Sequence, residues 1–290
     1  MSSLSSPRVV KEIIEKHQFK FSKGLGQNFL IDDNILDKIV EGADITENDV
    51  VIEVGPGIGT LTQHIAETAK KVVAIEIDDR LIPILKETLG EYDNIEVVHG
   101  DVLKVDLKTL IKEHFGDQKP KVVANLPYYV TTPIIMRFLE ESIPVSDLVV
   151  MIQKEVADRM VSESNCKAYG ALSVAVQYYC KPMVVTKVPP SVFIPQPKVE
   201  STVIRLQVRE EPAVTVENTK IFFNTVKSGF GKRRKTLLNA LSSGNLGLGK
   251  EQVKEALEQA GIDPKRRAES LDIEEFAVLA NALHSIKQQN

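Results

Sequence analysis

Apolar positions in the first two-thirds of the chain alternate between two regimes. Short runs rich in β-branched residues cover 50–54, 71–77, 95–99, 121–124 and 147–152, and each predicts a buried strand. Between them lie stretches such as 59–69 and 79–89, where apolar residues recur every three or four positions and predict amphipathic helices. This alternation predicts an α/β fold in which a parallel sheet is covered by helices on both faces. Ligands of such sheets bind outside the carboxyl ends of the strands. Chemistry is therefore expected in the residues that follow each strand.

The pattern changes after residue 183. Two further strands, 184–188 and 201–208, are joined by a proline-rich connection from Pro189 to Pro197, which predicts an antiparallel pair at one sheet edge. Beyond Pro212 the periodicity is wholly helical, with candidates at 220–230, 232–241, 251–260 and 273–286. Asp272, followed three residues later by Glu275, has the form of a helix start. A boundary near 208–212 is expected, giving an α/β domain over 1–208 and a small all-helical domain over 209–290. No internal repeat or low-complexity segment interrupts this plan.

A chain of 290 residues, 43% hydrophobic and 26% charged, has room for one large or two modest domains. No apolar run approaches the roughly 20 residues that cross a bilayer, and the first eight residues lack the apolar core of a secretory signal. Cys166 and Cys180 are too few for a disulfide framework and lack metal-ligand spacing. A reduced, cytoplasmic protein without membrane association or bound metal is expected. With no coiled-coil pattern or long apolar stripe, a monomer is expected too.

Net charge is −4, from 36 basic and 40 acidic side chains, and as an average it argues against a nucleic-acid partner. The distribution reverses that. No Asp or Glu occurs from Asn218 to Lys250, where Lys220, Lys227, Lys232, Arg233, Arg234, Lys235 and Lys250 are found. A cationic helix face is ordinarily just solvated surface. Phosphate binding depends on local cationic surface, however, and the absence of carboxylates makes Lys227, Lys232, Arg233, Arg234 and Lys235 candidates for RNA contact.

Candidate chemistry sits at successive strand ends. Gly55-Pro56-Gly57-Ile58-Gly59 follows a strand and opens a helix, where glycines let the backbone turn tightly and approach a ligand. Glycine turns are common there, but these glycines fall at alternate positions, unlike the spacing that holds a dinucleotide pyrophosphate. Glu76 closes the next strand, where a carboxylate accepts both ribose hydroxyls, although a solvated strand end would look the same. Asp78 and Asp79 suit helix capping better. Asp101, after the third strand, suits the amino group of an adenine, or equally a turn satisfying backbone donors. Their coincidence favours a nucleoside with no required phosphate, and S-adenosylmethionine fits better than a dinucleotide.

Asn125-Leu126-Pro127-Tyr128 ends a buried apolar run. Taken alone it reads as a turn with a packed aromatic. Beside a methyl donor it reads differently. The lone pair of adenine N6 is delocalised into the ring, so two acceptors on its hydrogens, the Asn125 side-chain oxygen and the Leu126 carbonyl, would favour a pyramidal nitrogen aimed at the methyl group. Pro127 stiffens the loop, and Tyr128 offers a stacking face worth about 1–3 kcal/mol. A base inside a helix cannot reach such a pocket, so flipping or a loop substrate is implied. Phe193 is either the opposite stacking face or a pin for the proline loop. Gln27-Asn28-Phe29-Leu30, ahead of Asp32, is either a fold over the donor or a capped helix start.

These residues carry a resemblance. Gly24 to Leu30, Glu53 to Gly59, Asn125 to Tyr128, Phe193 to Val199 and Phe230 to Thr236 together resemble the ribosomal RNA adenine dimethyltransferases, most closely the bacterial small-subunit KsgA (RsmA) family, over nearly the whole chain. The resemblance implies a Rossmann-like class I methyltransferase domain with a small helical C-terminal domain. It implies dimethylation of two adjacent adenosines in the 3′-terminal hairpin loop of 16S rRNA, within a late 30S assembly particle. Donor contacts would fall on Asn28, Leu30, Gly55, Glu76, Asp101 and Asn125, with Gly57 in the same turn. Tyr129 and Val130 stand where many relatives carry Asn and Ile.

Three other readings compete. The Erm-type 23S rRNA adenine methyltransferases are usually shorter and strongly basic, with Ile in place of Leu126. A non-catalytic nucleic-acid-binding factor on the same scaffold would not need Glu76, Asp101 and Asn125 intact. A nicotinamide dehydrogenase fails on the glycine spacing.

Overall fold

The computed structural model describes residues 4–22 and 24–289. Residues 1–3, part of the segment read as lacking a secretory signal, lie outside the described residues. The chain divides into two compact units, Met1–Ala157 with Met183–Val208, and Asp158–Pro182 with Arg209–Asn290.

The strands, in chain order, are β1 (Phe29–Leu30), β2 (Val50–Val54), β3 (Lys71–Glu76), β4 (Ile95–His99), β5 (Lys121–Asn125), β6 (Asp147–Gln153), β7 (Cys180–Val188), β8 (Phe193–Ile194) and β9 (Ser201–Val208). Seven of them form one sheet in the order β4-β3-β2-β5-β6-β9-β7. The pairs β2–β3, β3–β4, β2–β5 and β5–β6 are parallel, and β9 joins β6 antiparallel. The near-continuous Val and Ile runs follow from burial on both faces: all five residues of β2 are buried. Apolar clusters around Leu36, Ile65 and Val123 and around Val10, Ile58 and Leu85 lie in this unit, and Ile52, Val73, Ile111 and Phe138 are buried in it as well.

Strand order reverses between β2 and β5. From β2 the chain steps outward to β3 and β4, then crosses to β5 and β6 on the other side. That is the topological switch point, where ligands of open α/β sheets bind. Val54 pairs with Ala124 across it, so the glycine turn and Asn125 leave the sheet side by side. The proline-rich connection does more than join β7 and β9. Within it β8 pairs antiparallel with β1, Phe29 opposite Ile194 and Leu30 opposite Phe193.

The second unit contains the helices Ala171–Tyr179, Thr219–Phe230, Leu237–Ser242, Lys250–Gln259 and Ile273–Gln288. Asp272 starts the last one as its pattern predicts. Its side chain accepts from Glu275 N, and Glu275 reaches back to Asp272 N at 3.1 Å. Two features differ from the sequence reading. Residues 158–182, expected in the α/β domain, cluster with the helices because Tyr169, Val174 and Tyr178 are buried with Phe222 and Phe276. Residues 232–235 form turns, not helix, and the helix begins at Leu237. Four adjacent cations repel along one turn, and Arg233 is drawn instead to the carbonyls of Lys167 and Tyr169, at 2.8 and 3.2 Å.

Candidate active site

The carboxyl ends of β2, β3, β4 and β5, together with the β1–β8 pair, enclose a cavity of about 240 Å³. All seven residues proposed for the donor, Asn28, Leu30, Gly55, Gly57, Glu76, Asp101 and Asn125, line it. So do the five proposed for the acceptor base, Asn125, Leu126, Pro127, Tyr128 and Phe193. The cations Lys227, Lys232, Arg233, Arg234 and Lys235 are all exposed and belong to the second unit.

The glycine turn requires glycine for two separate reasons. Gly57, with φ +62°, sits under the Phe29 ring, whose carbons would lie 3.1 Å from an added Cβ. Gly55, with φ +71°, has nothing within 4 Å of that position. The Gly55 backbone is thus bare toward a cavity it lines, which is the close approach a ligand needs.

Glu76 is buried and held in place by backbone donors: Oε1 accepts from Asp78 N at 2.8 Å and Oε2 from Gly57 N at 3.3 Å. Burial pushes its carboxyl up, and these donors oppose the shift. Asp78 and Gln27 brace this corner. Gln27 Nε2 donates to Asp78 Oδ2 at 2.7 Å, and Asp78 also accepts from Arg80. Asp101 serves its own turn, with Oδ1 accepting from Leu103 N at 2.9 Å, while Lys104 Nζ lies 3.5 Å from Oδ2.

Asn125 is oriented through Asn28. Its Nδ2 donates to the Asn28 carbonyl at 3.0 Å, and Asn28 Nδ2 donates to the Gly26 carbonyl at 3.0 Å. That leaves Asn125 Oδ1 without a donor among the described residues. Leu126 N is committed to Met151 O at 3.2 Å, but no donor among the described residues reaches the Leu126 carbonyl. The loop therefore holds two uncommitted acceptors on consecutive residues at the cavity wall. Tyr128 is half-buried and fixed by a 2.7 Å hydrogen bond between its hydroxyl and Ser201 Oγ. Phe193, only 2% exposed, packs in the apolar cluster with Leu30 and also lines the cavity, so pin and wall are the same residue.

Three residues escaped the sequence reading. Glu53, 1% exposed, lines the cavity, and its Oε2 has no hydrogen-bond partner. Burial pushes its carboxyl up to about 8; the nearby Thr62 hydroxyl opposes this, and the Glu76 carboxylate adds to it. The signal was visible as a lone carboxylate inside Val-Val-Ile-Glu-Val. Ser201, which fixes Tyr128 from 73 positions away, left no local signal. Neither did Arg137, whose guanidinium donates to the carbonyls of Val102 and, at 3.0 Å, Val105, holding the turn that carries Asp101.

The cavity, the bare glycine turn and the paired acceptors suit a nucleoside donor beside a flat base. A family model described as ribosomal RNA adenine dimethylase matches residues 18–285. The chain belongs to that family. Among curated relatives, ribosomal RNA small subunit methyltransferase A from Alkaliphilus oremlandii is 64% identical over 283 residues, covering 98% of this chain and 99% of the relative. The protein of the same name from Clostridioides difficile is 59% identical over 286 residues, 98% of each chain. Among solved structures, a dimethyladenosine transferase from Plasmodium falciparum superposes with a TM-score of 0.76 at 29% identity, covering 89% of this chain and 98% of that one. The 23S rRNA methyltransferase ErmE superposes with 0.68 at 26% identity, covering 88% and 99%. Family membership and the switch-point cavity agree on a Rossmann-like methyltransferase unit. Among the described residues no helix is long and apolar enough to cross a membrane, and no group of His, Cys, Asp and Glu is arranged to hold a metal.

Proposed function

We propose that this protein transfers methyl groups from S-adenosylmethionine to N6 of two adjacent adenosines in the 3′-terminal hairpin loop of 16S rRNA, acting in the cytoplasm on a late 30S assembly particle. The observation that carries this reading is the pair of uncommitted acceptors, Asn125 Oδ1 and the Leu126 carbonyl, at the wall of a cavity beside a bare glycine turn. The donor residues suit the cofactor. Glu76 would take the ribose hydroxyls, Asp101 the adenine amino group, and Gly55 and Gly57 the close backbone approach, with Asn28 and Leu30 closing the β1 side. The cofactor supplies an electrophilic methyl group.

The chain's own residues do the rest. In the first transfer Asn125 and Leu126 accept the two N6 hydrogens and turn the nitrogen lone pair out of conjugation, and in the second the one remaining hydrogen is held by one of these acceptors. Tyr128, anchored by Ser201, stacks on the base, and Phe193 bounds its other side. No strong base is needed, because the N–CH3 bond would form as the donor's S–CH3 bond breaks, leaving S-adenosylhomocysteine, and the now acidic nitrogen would then release its proton to water. Lys227, Lys232, Arg233, Arg234 and Lys235 serve RNA phosphates.

The Erm-type reading is weaker. ErmE is 26% identical to this chain, against 64% for the small-subunit enzyme of A. oremlandii. The test is methyl transfer from labelled S-adenosylmethionine to small subunits lacking the modification and, in parallel, to free 23S rRNA, followed by nucleoside analysis. Dimethyladenosine in 16S rRNA is expected. Transfer only to 23S rRNA supports the Erm-type reading, and tight binding without transfer supports a non-catalytic factor. Asn125→Ala should lower turnover by about 100- to 1,000-fold with the donor still bound. Near-normal turnover would remove the base-site argument.

A further inference from the structure

Tyr129 is left unexplained by this mechanism. It is 60% exposed, yet it lines the same cavity as Asn125 and Tyr128. The two consecutive tyrosines behave oppositely: Tyr128 is half-buried and tied to Ser201, whereas no hydrogen bond reaches Tyr129 among the described residues. The turn beneath them is well braced. Val130 N and Thr131 Oγ1 both donate to the Pro127 carbonyl, each at 3.1 Å.

One side of the Tyr129 ring is supported. A Cβ on Gly26 would lie 3.6 Å from a ring carbon of Tyr129 and 3.5 Å from Pro127 Cβ. Gly26 is itself held through Asn28, which also receives Asn125. The ring therefore rests on a braced turn with most of its surface in water. A tyrosine kept for packing would be covered, and one kept for a hydroxyl contact would have a partner.

We propose that Tyr129 is a stacking platform for the nucleotide next to the adenosine held in the cavity, so that the site grips two consecutive bases. The proposal rests on the functional reading above. Drawing one adenosine out of a loop uncovers a face of the neighbouring base, and an aromatic ring at the cavity mouth restores that stacking. Such stacking is tolerant of sequence, because every base has a π-face. Whichever of two adjacent adenosines occupies the cavity, the platform can take the base beside it.

The test compares Tyr129→Phe, Tyr129→Leu and Tyr129→Ala in steady-state methyl transfer to small subunits lacking the modification, with donor affinity measured separately. Leu still covers Gly26 but cannot stack. The Phe variant should stay within about twofold of wild type, while Leu and Ala should raise KM for the subunit roughly tenfold, with kcat and donor affinity unchanged. If Leu matches Phe, or if Ala loses donor affinity in step with KM, the residue is packing and the platform is overturned. If wild-type protein transfers no methyl group to these subunits, the functional reading fails and takes the platform with it.

Discussion

Glu53→Gln isolates a buried titration at the base of the glycine turn. Glu53 is 1% exposed, and its carboxyl is raised from 4.5 to about 8. Between those values the folded chain holds a proton that the unfolded chain has released. The unfolded state then binds fewer protons, so stability falls as pH rises, by about 1.4 kcal/mol per pH unit. This contribution is fully present below about pH 4.5 and is gone above about pH 8. Its full span is roughly 5 kcal/mol, large beside the 5–15 kcal/mol that typically holds a domain together.

Glutamine has nearly the same shape and cannot titrate. In the folded protein at pH 5 both side chains are neutral, so the difference there is amide against acid plus the small part of the titration that falls below pH 5. The change in that difference between pH 5 and 7 reports the titration alone, and about 3 kcal/mol is expected in favour of the variant. Because the chain has two compact units, the assay should be urea unfolding read by hydrogen exchange of β2 peptides, at fixed ionic strength from pH 5 to 8.5. Since the Glu76 charge helps raise Glu53, Glu76→Gln should move the midpoint of the wild-type slope to lower pH. Parallel stability curves for wild type and Glu53→Gln would mean that Glu53 is ionised in the folded protein, and would refute the argument.

The remaining predictions concern the donor turn and the basic segment. Gly55→Ala should cost about 1–2 kcal/mol of stability, because φ is +71° even though nothing crowds the added methyl group; it should also weaken donor binding, both readable by thermal unfolding with and without S-adenosylmethionine. Burial raises the Glu76 carboxyl, so donor affinity in calorimetry should fall as pH drops and the group protonates, and Glu76→Gln should bind weakly with no such pH dependence. Lys232→Glu with Arg234→Glu, both exposed and with no side-chain partner among the described residues, should weaken subunit binding and reduce its salt slope by about one per lost phosphate contact, leaving stability intact. Arg233→Glu should in addition destabilise the second unit, because it removes hydrogen bonds to the Lys167 and Tyr169 carbonyls.

Much of the site was legible because it is built from strand ends, and a strand end is a local event. Val-Val-Ile-Glu-Val followed by spaced glycines, or Lys-Val-Val-Ala followed by Asn-Leu-Pro-Tyr, announces both the strand and the residues delivered at its tip. What supports those tips was not legible, because it comes from far along the chain. Tyr128 is held by Ser201 across 73 positions and Asn125 by Asn28 across 97, and no periodicity reports a partner at that distance. The fold divides the same way. Periodicity says which face of an element is buried but not against what, and nothing local to Tyr169, Val174 and Tyr178 reveals that they pack with Phe222. Charge has the same limit, since a run of four cations reads as one surface while Arg233 also donates to carbonyls within its own unit. The residues that touch a ligand are thus easier to read from sequence than those that aim them. For this chain Ser201 and Arg137 are where substitutions would lower activity without any motif to warn of it.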